Sequence, residues 1–145
     1  MGLSASATSG PGSDGSAASA ASPADVCRSY LASFGTGDPA QVVAHVTDDF
    51  VNEHTAALGS GCEGKEEYAR RVPNFLASMP QLRYEVEDVI SEGDRVSAAY
   101  TLHTHVNDRD VAVRGVMRFI VRDGLIAKRT DYWDSLVFQR QAGMA

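Results

Sequence analysis

The sequence predicts an α+β domain in which three helices cover the concave face of a cone-shaped, curved antiparallel sheet. Two observations carry this. Helix-spaced apolar stripes behind capping residues occupy the chain up to about residue 78, and period-two strand patterns occupy it from residue 84. The strand half is punctuated by the turn signals Glu92-Gly93-Asp94, Asn107-Asp108-Arg109 and Arg122-Asp123-Gly124, so consecutive strands pair as a meander. Residues 1–22 belong to neither half. They hold 7 Ser, 6 Ala and 4 Gly, too little apolar surface to offset the entropy of ordering, and read as a disordered tail. Residues 23–145 then form a single domain.

The first helix begins at Ser22-Pro23-Ala24-Asp25: a Ser cap, Pro at the first helical position and an acid in the first turn. Val26, Tyr30 and Phe34, with Leu31, make its inward stripe, and Gly35-Thr36-Gly37 ends it. Asp38-Pro39 opens a second helix with Val42, Val43 and Val46 on its apolar face, broken by Thr47-Asp48-Asp49. Phe50 to Thr55 reads as a short strand, followed by a Gly-rich loop over 58–64. A third helix over 65–78 presents Tyr68, Val72, Phe75 and Leu76, and Pro73 inside it predicts a kink or break. Four strands follow, over 84–91, 95–106, 110–122 and 125–133, with a short closing helix over 135–141. Asp123-Gly124 suits a two-residue hairpin.

Alternation assigns the faces. In the 110–122 strand the odd residues Val111, Val113, Gly115, Met117, Phe119 and Val121 point inward, and Arg114, Arg118 and Arg122 line the wet or interface side. In 95–106, Val96, Ala98, Tyr100 and Leu102 point inward and His103 and His105 outward. The 125–133 strand mixes apolar and charged groups on both faces. A carboxylate placed there against an apolar cavity is a candidate acid or base. The open end of the cone is a natural apolar pocket.

A formal net charge of -6, with no basic run longer than Lys128-Arg129, argues against nucleic acid and anionic membranes as partners. No stretch is apolar enough to span a bilayer, and the tail lacks the charged start and apolar segment of a secretion signal, so a cytoplasmic location is expected. Cys27 and Cys62 lie in no metal-binding or redox motif and read as reduced, structural thiols. His103 and His105 have no third ligand at compatible spacing. No metal and no cofactor is expected.

Three stretches carry a family resemblance: Tyr30 to Asp38, Thr47 to His54, and Val121 to Asp134, the last ending in Asp131-Tyr132-Trp133-Asp134. Over residues 24–142 the chain resembles the nuclear-transport-factor-2-like superfamily. Within it the likeness is to the SnoaL-like polyketide cyclases, ketosteroid isomerases and limonene epoxide hydrolases. The resemblance implies a role for Asp131 where cyclases and epoxide hydrolases keep a catalytic aspartate. It places His54 at the isomerases' general base, Tyr30 at their oxyanion-donating tyrosine and Asn52 at a polar pocket position. The departures are equally specific. Val116 or Met117 stands where the isomerases keep a second donor, Met117 where the cyclases keep a histidine, and Tyr100-Thr101-Leu102 where the epoxide hydrolases keep an Arg-x-Asp pair.

The expected activity is cofactor-independent proton transfer, of the isomerase or cyclase type, on an apolar polyketide- or steroid-like carbonyl compound. Asp131 and His54 would form the acid–base pair, and Tyr30 would bond the oxygen on which charge develops. Asn52, Tyr100, Leu102, Met117, Phe119, Trp133 and Phe75 are the expected substrate-binding residues. Each site residue has a plainer reading: Asp131 bonded to Arg129 or a loop amide, His54 a satisfied core histidine, Tyr30 a packing aromatic. A ligand-binding or dimerising module without chemistry, and an epoxide-opening enzyme, are the alternatives. The resemblance also implies a homodimer joined through the outer sheet face.

Overall fold

The structure is a computed structural model that describes residues 21–144. The expected tail lies outside the described residues, apart from Ala21 and the capping Ser22. Helix α1 spans Pro23–Ser33, and the Ser22 side chain accepts from the Asp25 amide at 3.1 Å. Its inward stripe, Val26, Cys27, Tyr30, Leu31 and Phe34, is buried, at roughly 1.5–3 kcal/mol of stabilisation for each large apolar side chain. A 3-10 turn over Phe34–Thr36 ends at Gly37 in the left-handed region, φ 72°. Helix α2 is one short turn, Pro39–Val43, capped by Asp38.

Strand β1 runs Val46–His54 and so begins four residues earlier than the sequence suggests. Thr47-Asp48-Asp49 does not break the chain. The Asp49 carboxylate is held outside the sheet by Thr47 and by Arg122, so the acids cost little there. The Gly-rich loop contains a two-residue strand β2, Cys62–Glu63, paired antiparallel with β1. Helix α3 spans Lys65–Ser78 without the expected break: Pro73 sits on its exposed side, where the carbonyl left without a donor faces water.

The meander follows as β3 (Arg83–Glu92), β4 (Arg95–Val106), β5 (Arg109–Arg122) and β6 (Leu125–Trp133), closed by helix α4 (Ser135–Gln141). Asp123 and Gly124 both take positive φ, 53° and 79°, as a tight two-residue hairpin between right-twisted strands requires. The sheet order is β2-β1-β6-β5-β4-β3. One pairing departs from the antiparallel expectation: β1 lies parallel to β6, with Asn52 opposite Arg129 and His54 opposite Asp131. That parallel pairing brings distant parts of the chain together at the mouth of the cone.

The faces follow the alternation. Val96, Ala98 and Tyr100 of β4 and Val111, Val113, Met117, Phe119 and Val121 of β5 are buried under the helices. Outside, Arg114 pairs with Glu87, Arg118 donates to Tyr132, and His103 and His105 meet Glu85 and Asp110. The mixed β6 strand resolves with Arg129, Asp131 and Trp133 inward, opposite Phe119, Met117 and Gly115. No helix among the described residues is long and apolar enough to cross a membrane.

Candidate active site

Inner positions of β1, β4 and β6 converge at the cone mouth. Phe50, Asn52 and His54 alternate inward on β1, and Arg129, Asp131 and Trp133 do so on β6. Period two therefore delivers an imidazole, a guanidinium, a carboxylate and an indole to one small region. They line a cavity with Tyr84, Tyr100, Leu102, Val113, Met79 and Phe138. Space for the centres of water-sized molecules inside it totals about 50 Å³, room for a few waters or the end of a small organic group. A hollow of about 320 Å³ lies beside Ile90, Arg118 and Ile120, away from these groups.

Asp131 is the hub. Its Oδ1 accepts from the Tyr100 hydroxyl at 2.6 Å and its Oδ2 from Arg129 Nη2 at 3.0 Å. An ionised carboxylate has about four acceptor positions, so each oxygen keeps capacity toward the cavity. Arg129 continues inward. Its Nη1 donates to the Tyr30 hydroxyl at 3.0 Å, and Tyr30 and Tyr68 share a hydrogen bond. Burial opposes the Arg129 charge, but the Asp131 carboxylate and the Tyr30 hydroxyl oxygen, both accepting from it, hold the guanidinium well above its ordinary range. Burial also keeps Tyr30, Tyr68, Tyr84 and Tyr100 above the usual phenol range, so all four remain neutral donors.

His54 Nδ1 lies 3.8 Å from Asp131 Oδ2 and accepts the Trp133 indole N–H at 3.1 Å. An indole N–H only donates, so this bond requires an unprotonated Nδ1 and places the ring proton on Nε2. Burial, followed by the Arg129 charge, lowers the imidazole to about 4 against the weaker pull of Asp131. The ring is therefore a neutral Nε2–H donor at pH 7. The sequence expectation made His54 half of an acid–base pair; its depressed value leaves it the part of a neutral hydrogen-bond donor at pH 7.

Of the residues singled out from sequence, Asp131, His54, Tyr100, Leu102 and Trp133 share the cavity. Tyr30 is fully buried behind it, bonded to Arg129 and Tyr68, and reaches Asp131 only through Arg129. Phe75 packs edge-on against Phe34 in the main core, Phe119 against Tyr30, and Met117 is buried opposite Asp131. Asn52 is buried opposite Arg129, and its Oδ1 and Arg129 Nε have no partner among the described residues. Cys27 and Cys62 are free thiols; burial pushes Cys27 to about 12. The described residues contain no cluster of three or more His, Cys, Asp or Glu side chains suited to a metal ion.

Sequence reasoning named Arg129 only in the plainer reading, as a partner for Asp131, and passed over Tyr84 and Phe138. The Arg129 signal was present: Arg129-Thr130-Asp131 is an Arg-x-Asp pair, on β6 rather than on β4.

Residues 27–129 match the SnoaL-like domain family. The chain belongs to that family. The match spans most of the chain and ends two residues before Asp131. No curated protein matches the sequence. Solved structures of low identity share the fold. A hypothetical protein with a ketosteroid isomerase-like fold from Catenulispora acidiphila, in complex with trimethylamine, has a TM-score of 0.77 at 16% identity, covering 83% of this chain and 94% of that one. IdmH from Streptomyces antibioticus, provisionally named a polyketide cyclase, has a TM-score of 0.74 at 19% identity, covering 85% and 99%. An LEH-like epoxide hydrolase from M. tuberculosis has a TM-score of 0.70 at 19% identity, covering 82% and 88%. At these identities the likeness is one of fold, and the chemistry of this SnoaL-like chain lies in its own residues.

Proposed function

We propose that this SnoaL-like chain is a cofactor-independent proton-transfer enzyme acting on a small, largely apolar carbonyl compound. One observation carries the reading: a hydrogen-bonded carboxylate and a neutral Nε2–H imidazole stand side by side on one apolar cavity. Asp131 takes the proton from the carbon beside the carbonyl. The electron pair of that C–H bond forms a C=C bond while the carbonyl π pair moves onto oxygen, giving an enolate. His54 donates Nε2–H to this oxygen, with Trp133 fixing the tautomer. Where a C=C bond adjoins that carbon, the enolate extends over it as a dienolate and Asp131 returns the proton to the far alkene carbon, which isomerises the substrate. Alternatively the enolate carbon attacks a second carbonyl of the same molecule, and the protonated Asp131 gives its proton to the alkoxide formed as the ring closes. The aromatic walls keep bulk water from quenching the enolate.

In D2O, a ketone that the protein binds should exchange its α-hydrogens with catalytic turnover. Asp131→Asn should slow this exchange by about 100-fold or more at unchanged fold. Exchange at the wild-type rate in that variant removes the reading.

A second reading, binding without turnover, is favoured by the 50 Å³ cavity, which a polycyclic substrate would have to widen. The trimethylamine of the Catenulispora relative also points to small ligands. Binding of the ketone with no α-exchange selects that reading. The outer face exposes Ile90, Val116, Ile120 and Tyr132, a surface suited to a second copy of the chain.

A further inference from the structure

We infer that Tyr100 is a positioning residue for Asp131, and that Gly115 is the residue that permits it. Tyr100 and Asp131 are not on neighbouring strands. Tyr100 is on β4, Asp131 on β6, and β5 runs between them. To donate to Asp131 Oδ1, the Tyr100 ring must lie across the inner surface of β5. The β5 residue opposite Tyr100 is Gly115, which on its other side is opposite Trp133. A Cβ built at Gly115 would stand 2.5 Å from the Tyr100 hydroxyl oxygen, 2.7 Å from Cζ and 2.6 Å from the Tyr132 carbonyl oxygen. Any side chain there occupies the path of the ring. Gly115 has no positive φ, so backbone freedom is not its purpose; close approach is.

The consequence for the site is orientational. The Tyr100 and Arg129 bonds use one acceptor position on each Asp131 oxygen and fix the plane of the carboxylate in the cavity. The other groups around it are His54 on β1 and Tyr84 on β3, with Tyr30 of α1 and Tyr68 of α3 behind Arg129. None of these donates to Oδ1. The role in turnover rests on the acid–base reading; the hydrogen bond and the steric gate do not.

The test follows the Asp131 carboxyl-carbon NMR signal at pH 7, which needs no substrate. Losing the Tyr100 hydrogen bond should shift that signal in Tyr100→Phe. Gly115→Ala should shift it similarly, and the double variant no further. An unmoved signal in Tyr100→Phe overturns the role of Tyr100. An unmoved signal in Gly115→Ala overturns that of Gly115. If Gly115→Ala does not fold, Gly115→Ala with Tyr100→Leu decides: folding there places the clash at Tyr100, and failure there places it at the Tyr132 carbonyl and overturns the role of Gly115. In the exchange assay Tyr100→Phe should lower kcat about tenfold with little change in KM. Loss of the acid–base reading would show as exchange unaffected by Asp131→Asn, whatever the carboxyl signal does.

Discussion

Replacing Arg129 with Met removes one partner of a buried ion pair and leaves the other in place. The two side chains are 4% and 5% exposed and meet at 3.0 Å. Methionine fills much of the guanidinium stem's volume without a charge, so the main loss is electrostatic. Breaking such a pair from one side costs about 3–5 kcal/mol, because a carboxylate is left without compensation. For a domain of this size that corresponds to a fall in Tm of about 10–20 °C. Urea unfolding at pH 7 measures the free energy directly. The double variant Arg129→Met with Asp131→Asn has no buried charge at this point and should recover more than half of the loss. A single variant destabilised by less than about 1 kcal/mol would refute the assignment of Arg129 as the structural counter-charge of Asp131. So would a double variant as unstable as the single.

Two further outcomes follow from His54. Its folded value of about 4 lies below the ordinary 6.5, so as pH falls the unfolded chain takes up this proton first. Stability therefore drops between about pH 6.5 and pH 4, by about 3 kcal/mol from this group alone. His54→Asn, compared with wild type by urea unfolding at both ends of that window, should lose this share of the pH dependence; parallel profiles would contradict it. Trp133→Phe removes the donor to Nδ1, and imidazole nitrogen shifts should then report a mixture of tautomers, with α-exchange slowed about tenfold. A pure Nε2–H ring in that variant would show that something other than Trp133 fixes the proton.

The helices and the meander were legible because their signals are local. Ser22-Pro23 caps α1 and Asp123-Gly124 turns β5 into β6 regardless of what packs against them. The start of β1 was not, since Asp48 and Asp49 look like a break unless the strand's outer face and its irregular pairing between Val46 and Val51 are known. The parallel β1–β6 pairing joins segments about 80 residues apart and leaves no mark in either. It is this pairing that sets His54 beside Asp131. In β6 a buried ion pair reads as polar surface, so Arg129 disguised the inner face that it anchors. Gly115, a gap in an otherwise apolar alternation on β5, carried a signal for close approach that only the crossing Tyr100 ring explains.

The neutral Nε2–H imidazole beside Asp131 is most directly tested by the ring nitrogen shifts of His54 in the full chain, titrated from pH 8 to pH 4. The geometry predicts an unprotonated Nδ1 and a protonated Nε2 down to about pH 4. A bound ketone should displace the Nε2–H signal. A doubly protonated ring at pH 7, or a proton on Nδ1, would leave the enolate oxygen without its donor and contradict the proposed chemistry.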